Sequence, residues 1–330
     1  MEAVDSQRRR FAIGLLAAGV AAPLALRAQP RIDVLRIIHG YPPGGSIDIV
    51  SRALAEKLAG RYCTHAIVDN KSGAAGRIAI DEVKRARADG SVMLVAPASA
   101  LTLYPHVYRQ LGYDVFADLA PVSTVASTGF ALAIGPRVPP SIDSFESFRQ
   151  WCRTEPAAPQ CGNPGAGSLP HLMCTLVARE AGIALGQVPY RGGSLAMQAA
   201  AAGEVAAALS TEASARPLQQ AGKLRILATT WSERSPFFPQ VPTFKELGMP
   251  ALAQREWFGA FMPGRTPTVT VQSAADALRS ALSDADLRET WDRAFLGVEA
   301  STPAQLQAAI RSEYEFWAPV VKASGFTPEG

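Results

Sequence analysis

Histidine and cysteine are scarce in this chain, four of each in 330 residues, and the cysteines do not fall at metal-ligand spacing. The loop G-x-x-x-x-G-K-[ST] that cradles phosphates is missing, as are the G-x-S-x-G nucleophile elbow and the H-E-x-x-H metal helix. Gly73-Ala-Ala-Gly76 lacks the G-x-G-x-x-G spacing of a dinucleotide site. These absences argue against nucleotide chemistry, a serine hydrolase and a metal centre, so no cofactor, no metal and no catalysis are expected. No apolar run reaches the roughly 20 residues that a spanning helix requires. Beyond the first residues there is no basic cluster, and with a net charge of only +3 a nucleic-acid partner is not expected. Low-complexity stretches are lacking too, and 48% hydrophobic residues mark a globular protein.

The amino-terminal segment reads as an address. Arg8, Arg9 and Arg10 precede an uncharged run from Phe11 to Leu26, and Ala28 offers a small residue for cleavage before Gln29-Pro30. Basic, apolar and small residues in that order form a secretory signal peptide, here residues 1–28. Arg8-Arg9-Arg10-Phe11 also resembles a twin-arginine signal, with Gln7 in place of Ser or Thr, and either route leads to the periplasm. No Cys follows the run, which argues against a lipid anchor. Removing the segment takes away four basic and two acidic residues, leaving a nearly neutral chain of two-domain length.

Short apolar runs alternate with longer helical patterns, the mark of βαβ units and a mostly parallel sheet flanked by helices. Val34–His39, Ala66–Asp69 and Val92–Ala96 read as strands. Between them Ile47, Val50, Leu54 and Leu58 share one helix face, and 78–87 forms a second helix. The style repeats from Phe130–Ile134, through a helix over Phe145–Thr154 and another on which Leu169, Leu172, Met173, Leu176 and Val177 align. Strands follow at 187–190, 205–209 and 224–229, and from Trp257 to Met262 the chain crosses back. Thr302-Pro303 opens a last helix that Pro319 should kink or end. The α/β chain therefore divides into one discontinuous domain, 29–125 plus 258–330, and a second, 126–257. Two crossover strands then serve as a hinge with a ligand cleft at the junction.

Three glycine-rich loops each precede a helix: Pro42–Ser46, Ser72–Gly76 and Gly165–Ser168. Helix amino termini present unpaired N–H groups and a positive dipole end, so loops of this kind can hold a carboxylate or phosphate. Asp48, in the first turn of its helix, would repel a bound acid and is read as a structural cap. Ser168 and His171 lie three apart, but nothing nominates the third group that would orient the histidine, so they read as a polar helix opening. Cys152 and Cys161 flank a proline-rich turn and are expected to form a disulfide, with Cys63 and Cys174 outside it.

Tyr41-Pro-Pro-Gly-Gly-Ser-Ile-Asp48, Asp69-Asn-Lys-Ser-Gly-Ala-Ala-Gly76, Gly165-Ala-Gly-Ser-Leu-Pro-His-Leu172 and Val188-Pro-Tyr-Arg-Gly192 stand in order along the chain. Leu111–Asp114, Asp118–Val122, Gly222–Arg225 and Val241–Thr243 continue the series. Together they resemble the extracytoplasmic substrate-binding receptors of tripartite tricarboxylate transporters, from about Val34 to Gly325. The resemblance implies a type II periplasmic-binding-protein fold, a Venus flytrap for organic acids. By position it implicates Tyr41, Gly44, Gly45 and Ser46 from the first loop, Gly73, Ala74 and Ala75 from the second, and Ser99 after the third strand. Asn163, Gly167, Ser168, His171 and Tyr190 would face the other end of the ligand. Ala75 stands where a glycine is usual, Ser72 where proline is usual, and Ser210 where many members carry Asp, which favours a purely acidic ligand. The implied partners are a small organic acid and the membrane permease subunits, with the chain a monomer. A sensor kinase as the partner, or an enzyme on the same scaffold, are the rival readings.

Overall fold

The computed structural model describes residues 32–155 and 157–324; the proposed leader, 1–28, lies outside them. The first third runs β1 (Ile32–His39), α1 (Ser46–Leu58), β2 (Cys63–Asn70), α2 (Arg77–Arg85) and β3 (Val92–Pro97). Two short helices, α3 (Ala98–Thr102) and α4 (Tyr104–Val107), lead into β4 (Leu119–Ile134). Then come α5 (Phe145–Thr154), β5 (Gln160–Asn163), α6 (Leu169–Ala181), β6 (Gly186–Pro189) and α7 (Gly193–Ala202). β7 (Ala207–Thr211), α8 (Glu212–Gln220) and β8 (Arg225–Thr229) precede β9 (Arg255–Pro263). The chain finishes with α9 (Thr268–Leu282), α10 (Ala285–Arg293), β10 (Gly297–Val298) and α11 (Pro303–Ser324).

The strands lie in the order β2-β1-β3-β9-β4-β7-β5-β6. β1 pairs in parallel with β2 and β3, and β5 in parallel with β6 and β7, the pairing that strand–helix–strand units give. Between those two groups the sheet changes character. β9 is antiparallel to both β3 and β4. β4 is 16 residues long: its first part pairs with β9 and β10, and Phe130–Ile134 pairs with β7 and β8. The middle of the sheet is therefore formed by two antiparallel strands, β9 and β4, and the sheet is mixed rather than parallel there. Register shifts in β4 opposite β9, between Pro121 and Ser123 and between Thr124 and Ala126, bend it as it passes from one group to the other.

Local sequence explains most of these elements. On α1 the expected stripe of Ile47, Val50, Leu54 and Leu58 is buried, at about 2 kcal/mol for each large side chain. On α6, Ser168 caps the first turn and Gly182, at φ 62°, ends the helix in the left-handed conformation. Thr302 opens α11 reciprocally with Gln305, each side chain meeting the other's backbone N–H at 2.8 and 3.2 Å. Of the two outcomes expected at Pro319, α11 does not end there but continues to Ser324, because Leu306, Ile310, Trp317 and Val321 bury a face that spans the proline. Cys152 is not the sulfur that faces Cys161: that is Cys174, at 3.1 Å. Cys161 turns toward α6, while Cys152 packs in the core beneath α5 with Phe145 and Phe148. Among the described residues no helix is long and apolar enough to cross a membrane.

Candidate ligand-binding site

A cavity of about 220 Å³ opens where the two strand groups meet. Four helix amino termini converge on it. Gly45 and Ser46 start α1, Ser168 and Pro170 start α6, Gly192–Ser194 start α7, and Thr211 and Ser214 start α8. Each end supplies N–H groups with no intrahelical partner, and four positive dipole ends around one space favour an anion there. Among the lining residues Arg191 is the single cation and Glu256 the single acid. Arg191 makes no hydrogen bond or ion pair with the described residues. Ser210 is 1% exposed and its Oγ has no partner among the described residues, although it lines the same space. The apolar part of the wall is Ile47, Phe130, Leu195 and Phe258, with Pro42, Pro43, Pro97 and Pro164, and Tyr41, Ser99 and Gln198 add polar groups to it.

The first loop is held from below by a buried carboxylate. Asp48 Oδ2 accepts from the Gly44 N–H and Arg52 Nε, both at 2.9 Å, and Oδ1 accepts from Asn70 Nδ2 at 2.9 Å. Burial alone would raise its pKa, but Arg52, Asn70 and the Gly44 N–H outweigh it and hold the group at about 2. His39 Nε2 lies 3.2 Å from the same carboxylate, and burial keeps its pKa below the usual histidine range. Gly44 has φ 84°, which favours glycine, whereas Gly45 has φ −84° and no such need. A Cβ on Gly40 would overlap the Gly76 backbone, so that glycine brings the first two loops together.

The cleft is bridged at several points. Ser46 Oγ and Thr211 Oγ1 are 2.9 Å apart, Tyr108 donates to the Ala166 carbonyl at 2.5 Å, and Pro42 packs on Gly192. Glu256, on β9, is fully buried; Oε1 accepts from the Ser99 N–H at 2.9 Å and Oε2 from Ser99 Oγ at 3.2 Å. Burial pushes its carboxyl up to about 8 against those two donors, with Glu313 adding to the rise.

Five of the thirteen residues nominated from the sequence line the cavity: Tyr41, Gly45, Ser46, Ser99 and Ser168. Gly44 stands behind it on Asp48. The second loop does not line it. Gly73, Ala74, Ala75 and Gly76 all have positive φ, Ala74 and Ala75 at 47° and 54°, in a single 3-10 turn. The Ala75 carbonyl accepts from the Tyr41 and Tyr104 hydroxyls at 3.4 and 3.1 Å. Asn163, Gly167 and His171 build the third loop from within. Asn163 Oδ1 accepts from the Gly165 N–H at 3.2 Å, and His171 Nδ1 from the Gly167 N–H at 2.9 Å. Tyr190 packs over Gly162.

Sequence reasoning missed Arg191, Ser194, Thr211, Ser214 and Glu256 as wall residues, and Ser210 it flagged only as a departure. A lone acid opening the buried run Glu256–Met262 was the available signal for Glu256. α7 and α8 were not anticipated because alanines on several faces of α7 blur the helical period. A second cavity, about 290 Å³, lies beyond Ser99; its charged groups are already engaged, Glu313 by Trp257 Nε1 at 2.6 Å and Arg255 by Glu299. Among the described residues no group of His, Cys, Asp and Glu could hold a metal ion.

A mixed sheet whose long central strand β4 pairs with both strand groups, and a polar-rimmed cavity where those groups meet, mark the class of periplasmic binding proteins, which are receptors rather than enzymes. The chain belongs to the tripartite tricarboxylate transporter receptor family, whose model matches residues 50–326. It is 30% identical to Protein BugT of Bordetella pertussis over 314 residues, 95% of each chain. The solved structure titled "R. palustris Rpa4515 with adipate" superposes with a TM-score of 0.85 at 26% identity, over 90% of this chain and 99% of that one. The periplasmic binding protein BugD superposes at 0.83 and 25% identity, again over 90% and 99%.

Proposed function

We propose that this chain is an exported receptor that captures a small organic carboxylate in the cavity at the β4–β9 crossing and delivers it to the membrane subunits of a tripartite transporter. The observation that carries this reading is the convergence of four helix amino termini on one space with a single acid in its wall. Glu256 is consistent with it, because a carboxyl titrating near 8 is mostly protonated at neutral pH and offers an O–H rather than a repelling charge. Arg191 and the unpartnered Ser210 hydroxyl are available to the far end of the ligand. The aliphatic and aromatic wall suits a carbon skeleton of roughly four to nine atoms, a mono- or dicarboxylate bound without metal. An acid ligand in a solved neighbour, adipate, accords with this class. The 29–125 plus 258–330 and 126–257 segments would act as the two jaws, with β4 and β9 as the hinge. A panel of acids in a thermal-shift assay tests the reading. The fitting acid stabilises by about 2.7 kcal/mol at a hundredfold excess over Kd. A response only to sugars, cationic amino acids or phosphates would sink it.

A further inference from the structure

Cys161 and Cys174 lie on opposite sides of the third glycine-rich loop. Cys161 sits on β5, immediately before the loop, and Cys174 on the second turn of α6, after it. Both are 0% exposed, and their sulfurs are 3.1 Å apart. A disulfide bond is about 2.05 Å, so closing it needs about 1 Å of further approach between two side chains already directed at each other. Cys152, on α5, is also buried, and burial pushes its thiol up to about 12 with Cys161 adding to the rise, but its sulfur makes no comparable contact with Cys161.

We propose that Cys161 and Cys174 form a structural disulfide that ties both ends of the Pro164–Ser168 loop at the ligand cavity. The physiological setting rests on the export reading above; the geometry does not. Each cysteine gives up one proton and one electron, an S–S bond forms between them, and the S–S bond of a thiol–disulfide oxidant is cleaved to two thiols. Because both thiols are shielded from solvent in the folded chain, the exchange takes place while the chain is still folding, before α6 seals over β5.

Trypsin makes the pairing legible. Residues 154–179 contain no internal Lys or Arg and hold both Cys161 and Cys174, whereas Cys152 falls in 150–153. The full-length chain is exported into the periplasm of a bacterial host, denatured with iodoacetamide without reductant, digested and weighed. The expected result is an unalkylated 154–179 peptide lighter by two hydrogens, with 150–153 alkylated. Protein refolded from denaturant in dithiothreitol should then have a Tm about 5 °C below that of protein refolded without it, and a Cys174→Ala variant should be unmoved by the same treatment. Full alkylation of both cysteines, or a cross-link between 150–153 and 154–179, overturns the proposal. Neither result touches the carboxylate reading, which the acid panel decides separately.

Discussion

At the residue scale the sharpest contrast is between Gly44 and Gly45. Gly44 holds a left-handed φ and its N–H is spent on Asp48, while Gly45 has an ordinary φ and a Cβ added there would meet only the Pro42 carbonyl, at 3.9 Å. Gly45→Val should therefore fold normally, with a Tm close to the parent, yet lose at least tenfold in affinity for the acid, as read by calorimetric titration. Unchanged affinity would remove the start of α1 from the site. Glu256 makes a prediction about pH. Its carboxyl moves from an ordinary 4.5 to about 8 on burial. The folded chain thus keeps a proton that the unfolded chain releases from about pH 4.5 upward, and the associated stability is full below that pH and lost as pH rises through 8. Glu212, raised by burial to about 7, acts with the same sign. Scanning calorimetry should show Tm falling between pH 6 and 9, with a loss of stability on the order of 3 kcal/mol contributed by Glu256. Glu256→Gln, an isostere of the protonated form, should be more stable than the parent at pH 9 and similar at pH 5, the residual slope belonging to Glu212.

At the element scale, strands and amphipathic helices were legible wherever one face carried the apolar residues. α1, α5 and α6 fall where their stripes and stops place them, because apolar residues spaced along one helix face leave few ways to bury them. α7 was illegible for the opposite reason: Ala196, Ala199, Ala200 and Met197 are buried between the sheet and α8, and such a helix has no polar face to show. The site suffered the same way. Ser46, Ser99 and Ser168 could be found from glycine-rich turns and family pattern, but two of the four helix ends belong to helices that periodicity did not reveal. The glycines of the second loop signal backbone freedom without saying what the freedom serves; here it lets the Ala75 carbonyl face Tyr41 and Tyr104. α11 offers a test of its own. Pro319 sits inside a continuing helix, without an N–H for the preceding turn. Pro319→Ala should stabilise the protein by ~1–3 kcal/mol, visible as a Tm rise of a few degrees, with acid affinity unchanged. A fall in Tm would mean the proline fits a bend that the packing of Trp317 and Val321 needs.

At the scale of the whole molecule, β4 pairs on one side of the crossing with β9, which continues to β3, and on the other with β7 and β8, and the described chain forms one compact unit from Ile32 onward. Neither group has a sheet edge of its own at the crossing, so neither can lose its pairing without disturbing the other. Unfolding should accordingly be a single transition, with the calorimetric enthalpy matching the van't Hoff value. Two resolved heat-absorption peaks would count against that coupling. The four converging helix ends carry a different kind of consequence. Their donors are backbone groups, present whatever side chain stands at the position, so sequence drift can alter the wall without erasing the grip on the acid. Residues such as Arg191, Leu195 and Ser210 are then free to vary under selection for different carbon skeletons. A scaffold built this way can acquire new diets by single substitutions, each intermediate still a working acid receptor.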